Sequence, residues 1–330
     1  MKWLKKIASQ VYSQGTALHR YLYQKGFLVV HQYPTPIMSV GNLTLGGTGK
    51  TPLTLFLVQE LNQAGVECAV VCKSYNADLE EAQELPLHPD PQLYGDEACL
   101  IKGVHPHIKV VSGPKKWENA KLAAFDRKIQ MILLDDGFQH HALFQNWRGL
   151  VFDLSQDFEN FIWRDSFEQI KNADALFLNR STESQRQEFT KSLLNQGVQK
   201  PVFEMRLESM KIHSSITSEE CSISGTGLAL AGLANPDQFF ESLKNQFLNL
   251  TLETKAWPDH HRFTSDDIKK IELEALKKDW KYIVCTEKDW VKVSPHAKLT
   301  IWKTARLQVS VQPKVEWNIY FKKILGEILK

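Results

Sequence analysis

No aspartate or glutamate occurs among the first 59 residues of this 330-residue chain, although Lys2, Lys5, Lys6, Arg20, Lys25 and Lys50 do. That stretch favours anions, yet the chain as a whole carries a net charge of only +2. A balance so near zero implies no bulk affinity for nucleic acid, and none is expected as a partner. Cysteine is sparse: Cys68, Cys72, Cys99, Cys221 and Cys285 are odd in number and form no C-x-x-C pair. A disulfide framework or a zinc cluster is thereby excluded, and buried free thiols in a reducing compartment are expected. No apolar run approaches the roughly 18 residues of a spanning helix, and no signal-peptide core is expected. Internal repeats and low-complexity tracts are missing too. With 43% hydrophobic and 24% charged residues, the chain is long enough for two globular domains.

The acid-free N-terminus has a pattern of its own. Trp3, Leu4, Ile7, Ala8, Val11 and Tyr12, then Leu18, Tyr21 and Leu22, recur at helical spacing, and Gly26 is a plausible stop. A basic amphipathic helix of this kind either lies in the interface of an anionic membrane or docks on its own domain.

The densest signal follows it, at Gly41-Asn42-Leu43-Thr44-Leu45-Gly46-Gly47-Thr48-Gly49-Lys50-Thr51-Pro52. An apolar run ending in Met38-Ser39-Val40 precedes it, and the helical pattern Leu53 to Leu61 comes after. Strand, glycine-rich loop, Lys-Thr and helix are the parts of a phosphate-binding P-loop, with Gly46, Gly47, Thr48 and Gly49 offering backbone N–H groups. Lys50 reaches outer phosphates, the Thr51 hydroxyl is a Mg²⁺ ligand, and the helix N-terminus adds its positive dipole end. The strict pattern asks for glycine where Thr44 stands.

Beyond the loop, strands are expected at 66–72, 108–112, 131–134, 149–154 and 175–179, with helices between several of them. Most of these strands are apolar throughout, which indicates a parallel sheet covered on both faces. A second α/β set begins near residue 200, with strands near 202–207, 228–233, 251–257 and 282–285 and helices at 236–247 and 264–278. The fold class is therefore α/β. It comprises a P-loop domain with a mostly parallel sheet over 31–208, a smaller α/β domain over 209–330 and the amphipathic segment 1–30.

Asp135 and Asp136 end the strand at 131–134, where P-loop enzymes hold Mg²⁺ or its water. Gln139, His140 and His141 follow within a helical turn, and one of them is expected to face the phosphates, Gln139 being the candidate for the nucleotide. Asp259-His260-His261 lies in a loop, and its histidines and carboxylate suit either a metal or a proton-transfer pair. Asp96-Glu97 in the first domain would need a partner that a histidine can supply. A nucleotide switch acting on a protein is the competing class, but no Asn-Lys-x-Asp guanine motif is present. A non-catalytic ATP-binding relative is a third reading.

Several segments together resemble the tetraacyldisaccharide 4′-kinases of lipid A biosynthesis. They are Val40-Gly41-Asn42-Leu43-Thr44 with Gly46 to Pro52, Gly95-Asp96-Glu97, Asp135-Asp136-Gly137-Phe138-Gln139-His140, Ala231 to Pro236 with Phe239-Phe240, Asp259-His260, and Thr286-Glu287-Lys288-Asp289. Thr44 matches the family loop. The resemblance implies ATP- and Mg²⁺-dependent phosphorylation of the 4′-hydroxyl of a tetraacylated, 1-phosphorylated glucosamine disaccharide. It also implies two α/β/α domains and association of the N-terminal segment with the cytoplasmic face of the inner membrane. That segment is too polar to span, so peripheral attachment is expected, and so is a monomer. In it Asp96, oriented by His260, activates the acceptor hydroxyl, and Tyr75 and Arg164 contact the substrate. Two segments depart from the family pattern. Cys72-Lys73-Ser74-Tyr75-Asn76 replaces Ser-Arg-Gly-Tyr-Gly, and Phe161 to Ser166 replaces a Pro-x-Gly-x-Leu-Arg-Glu run.

Overall fold

Short apolar runs such as Cys-Ala-Val-Val at 68–71 and Met-Ile-Leu-Leu at 131–134 supply the central strands. The computed structural model describes residues 14–44, 47–74, 77–155, 163–233, 235–259 and 261–330. In chain order the first part comprises α1 (14–24), β1 (Ile37–Gly41), α2 (Lys50–Gln63), β2 (Cys68–Val71), β3 (Gln83–Glu84), α3 (Pro91–Tyr94), α4 (Asp96–Val104) and β4 (Lys109–Ser112). Then follow α5 (Lys116–Ala124), β5 (Met131–Leu134), β6 (Trp147–Asp153), β7 (Ala175–Asn179), α6 (Glu183–Asn195) and β8 (Val202–Ser214). The remainder holds β9 (Gly225–Ala231), α7 (Pro236–Gln246), β10 (Leu250–Ala256), α8 (Ser265–Lys278), β11 (Tyr282–Thr286), α9 (Glu287–Val293), β12 (Trp302–Gln312) and α10 (Lys314–Ile328).

The chain divides into two compact units, 1–206 with 309–330, and 207–308. In the first, the strands run β7-β6-β1-β5-β2-β4-β3 with the start of β8 beyond β7. β1, β2, β4, β5, β6, β7 and the start of β8 pair in parallel, whereas β3 pairs antiparallel with β4. β1 lies beside β5 in the register Met38↔Leu133 and Ser39↔Leu134. Both strands therefore end at the same level, and the glycine-rich loop emerges next to Asp135-Asp136. The chain builds one wing of the sheet after β1 and returns to the other side with β6. That reversal is the topological switch point where open α/β sheets bind ligands.

The second unit is ordered β10-β9-β11-β12, all parallel. Leu228 and Leu230 of β9 and Ile283 and Cys285 of β11 pack with Ile268, Ile271 and Ala275 of α8. Their alternates, Ala229, Ala231, Tyr282 and Val284, pack with Phe239, Phe240 and Leu243 of α7. The period-two alternation of strand side chains thus gives each face its own helix. The expectation of one terminal domain over 209–330 is corrected at its end, because residues 309–330 group with the first unit. The cause is α10, whose buried Trp317 packs on Phe56, Phe177 and Phe203 and donates through its indole N–H to Glu60.

The stop foreseen at Gly26 is present, with φ 75° just beyond α1. Residues 1–13, the lysine-bearing start of that segment, lie outside the described residues. The cysteines are free, four of them buried.

Candidate active site

The loop between β1 and α2 is held by its own side chains. Asn42 donates to the Thr44 carbonyl at 2.6 Å and to the Thr48 hydroxyl at 3.1 Å. Gln139 donates to the Asn42 carbonyl at 2.6 Å, so it braces the loop from behind. Thr44, where the strict motif has glycine, is buried and bridges antiparallel to Trp163, which explains why a side chain is accommodated there. Gly49 precedes α2 with φ 99°, and a Cβ there would stand 2.5 Å from Nδ2 of Asn179. Only glycine fits both the backbone and the space. No side chain caps α2 and no acid lies in its first turn. Its N–H groups and positive dipole end are therefore left for an anion.

The Asp135-Asp136 turn completes the site. Asp136 takes a left-handed conformation, φ 49°. Lys50 Nζ stands 3.6 Å from its Oδ1, and Arg164 Nη1 stands 3.3 Å from the same oxygen. Burial by itself would raise the Asp136 carboxyl, but Lys50, Lys116 and Arg164 outweigh it and hold it below the usual carboxylate range. Asp135 behaves oppositely. Burial pushes it up, and Asp136 adds to that, against the hydroxyl of Thr54, which donates to Oδ1 at 2.7 Å. Beneath the turn the buried Lys116 donates to the carbonyls of Asp135 and Asp136, and burial lowers its pKa.

Asp96 opens α4 directly after Gly95. Its neighbour Glu97 is pushed up to about 7, first by desolvation, next by Asp135, with Lys50 pulling the other way. Glu97 retains an open face, so water screens part of that effect. The start of α4 thus opens on the same end of the sheet as Lys50 and the aspartates.

Of the residues singled out from the sequence, Gly47, Thr48, Gly49, Lys50, Thr51, Asp135, Asp136, Gln139 and Arg164 assemble around one loop. Gly46, Tyr75 and His260 lie outside the described residues. Asp259 pairs with Lys288 at 3.2 Å, linking the DH and TEKD segments within the second unit. Three contributors had not been anticipated. Asn179 donates to the Thr48 carbonyl at 3.0 Å and Arg180 to the Gly47 carbonyl at 2.8 Å. The signal for both was an Asn-Arg pair at the end of an apolar strand. Lys116 carried no signal, being one lysine among several at a helix start.

Fold and site together define a P-loop nucleotide-binding protein of the α/β type, with cations and carboxylates gathered around its phosphate loop. The profile of the family described as LpxK, tetraacyldisaccharide-1-P 4′-kinase, matches residues 1–326. The chain belongs to this kinase family. Among similar proteins, the tetraacyldisaccharide 4′-kinase of Bdellovibrio bacteriovorus is 31% identical over 297 residues, covering 86% of this chain and 87% of the relative. Those of Desulfotalea psychrophila and Nitrosococcus oceani are each 28% identical, over 88% and 91% of this chain and 87% and 85% of their own lengths. The crystal structure of LpxK from Aquifex aeolicus in complex with ATP superposes with a TM-score of 0.77 at 23% identity, covering 100% of this chain and 99% of that one. At that identity the likeness shows the fold.

Proposed function

We propose that the chain transfers the γ-phosphoryl group of ATP to the 4′-hydroxyl of tetraacyldisaccharide 1-phosphate, a step of lipid A biosynthesis. The observation that carries this reading is the convergence of Lys50 and Arg164 on Asp136 at the open N-terminus of α2. The helix N-terminus and Lys50 hold the donor's phosphates, and Arg164 offsets charge on the transferring group.

Among the described residues no group of three or more His, Cys, Asp and Glu side chains could hold a metal. Mg²⁺ at such a site needs only one or two protein oxygens. Thr51 lies one turn before Thr54 on the same face of α2, and Thr54 contacts Asp135. This hard-oxygen set fits the ion, with Thr51 and Asp135 as its holders and Asp136 kept for the cations. When bound, Mg²⁺ neutralises phosphate charge. Asp96 accepts the acceptor's hydroxyl proton.

The membrane reading has its own support. No described helix is long and apolar enough to cross a bilayer. Leu18, Tyr21, Phe27, Val29 and Val30 are nonetheless exposed beside the acid-free, lysine-bearing start. Peripheral attachment through this face fits both facts.

The test is incubation with Mg-ATP and tetraacyldisaccharide 1-phosphate, scored for bis-phosphorylated lipid. Product is expected from the native chain. Lys50→Ala and Asp96→Ala each lose at least 100-fold in kcat, roughly 3 kcal/mol in the barrier. Absence of product with ATP still bound would overturn the kinase reading. Undiminished turnover in Asp96→Ala would overturn the base assignment alone.

A further inference from the structure

We propose that Arg20 and Asp165 form a positioning pair that fixes Arg164 at the phosphate loop. The proposal rests on the kinase reading above for what Arg164 does, but its geometry is independent of that reading. The Asp165 side chain is 1% exposed, which is costly for a carboxylate unless it is paired. Its partner comes from 145 residues earlier in the chain: Arg20 Nη1 of α1 reaches Oδ1 at 3.0 Å and Oδ2 at 2.8 Å. The Ser166 N–H donates to Oδ1 as well, at 2.8 Å.

Arg164, immediately before Asp165 in the chain, is held at its backbone and at its guanidinium. Its N–H donates to the Leu43 carbonyl at 2.7 Å, and its carbonyl accepts from the Thr16 hydroxyl of α1 at 3.4 Å. Its guanidinium meets Asn42 Oδ1 at 3.2 Å and Asp136 Oδ1 at 3.3 Å. Trp163 bridges to Thr44 in the antiparallel sense, and the chain bends at Arg164 and Asp165. Locking the Asp165 side chain and the Arg164 carbonyl onto α1 fixes this bend, from which the Arg164 guanidinium reaches Asn42 and Asp136. A flexible guanidinium aimed in this way loses less freedom when it engages a phosphoryl group, which is where positioning lowers a barrier. Among the described residues neither member of the pair is hydrogen-bonded to the loop, so both act through Arg164.

The experiment uses the full chain, measuring kcat and KM for both substrates, thermal melting, and the Kd of a fluorescent ATP analogue. Asp165→Asn keeps the shape of the side chain. The double variant Arg20→Gln with Asp165→Asn replaces the ions by a neutral hydrogen-bonding pair and guards against misfolding. Asp165→Asn and the double variant are each expected to lower kcat about tenfold, with KM for ATP changed less than threefold and melting nearly unmoved. Arg20→Lys, which keeps the charge on Asp165, should retain most of kcat. In an Arg164→Ala background Asp165→Asn should cost nothing further. If the two losses multiply, or if folded Asp165→Asn keeps full kcat, the proposal is overturned. If the native chain makes no product, the kinase reading has failed and the pair is judged on the analogue instead. Arg164→Ala and Asp165→Asn should then weaken analogue binding equally and without adding. No weakening overturns the pair.

Discussion

Gly49 carries two constraints at once, one in its backbone and one in the space beside it. A left-handed φ costs an L-residue about 1–2 kcal/mol, and the added methyl would displace the Asn179 amide that holds the Thr48 carbonyl. Gly49→Ala should therefore weaken nucleotide affinity at least tenfold while lowering stability by about 1–3 kcal/mol, read by analogue titration and denaturant melts. His140 and His141 make a different prediction. Burial lowers His140 to about 3 and His141 to about 4, aided by Lys116 beside the first and Arg20 beside the second. Both folded values lie below the unfolded value of about 6.5, so the fold favours the neutral rings. Their contribution is complete above pH 6.5 and drains away as pH falls through about 4 and then 3. The slope approaches about 1.4 kcal/mol per pH unit for each histidine, and His141→Gln should remove its share. Chemical denaturation between pH 7 and 4 measures this directly.

At the scale of elements, the start of α9 ties several parts of the second unit together. Asp289 is fully buried. Its Oδ2 accepts from the Gly232 N–H at 3.1 Å and from the Thr286 hydroxyl at 2.8 Å. Lys292 stands 3.4 Å from its Oδ1, also buried. The Thr286-Glu287-Lys288-Asp289 motif thus clamps the loop after β9 to the end of β11 and, through Lys288, reaches Asp259. Asp289→Ala strands the Lys292 charge in the interior and frees the Gly232 loop. A loss of about 3–5 kcal/mol is expected, and Asp289→Asn, which retains an acceptor, should lose less. Guanidinium melts compare the two. Equal stability of native and Asp289→Ala chains would show the clamp to be idle.

For the molecule as a whole, the charge distribution matters more than the total. The acid-free start and the exposed Leu18, Tyr21, Phe27, Val29 and Val30 form one continuous stretch of chain. Each lysine near an anionic surface contributes about 1 kcal/mol at low salt. Replacing Lys2, Lys5 and Lys6 with Glu should weaken sedimentation with anionic liposomes at least tenfold, with little change on neutral ones. Unchanged binding would leave α1 as a docked helix only. The opposite end of the chain is tied inward instead: Trp317 and its ring of Phe56, Phe177 and Phe203 make α10 part of the first unit's core.

What was legible in the sequence is what depends on neighbours along the chain. Glycine spacing, Gly49-Lys50-Thr51 at a strand-to-helix junction and apolar runs ending in Asp135-Asp136 follow from local stereochemistry, and so did the parallel α/β class. The ordered motifs likewise pointed to the family to which the chain belongs. The tertiary structure decided everything that depends on register and long-range pairing. Only the β1–β5 pairing brings Lys50 to Asp136, and only the β6–β7 wing sets Asn179 and Arg180 under the loop. Lys116 beneath the aspartates, Arg20 on Asp165 and the return of α10 to the first unit join residues tens to hundreds of positions apart. Charge pairing and burial select such partners by distance in space, for which a linear pattern has no period.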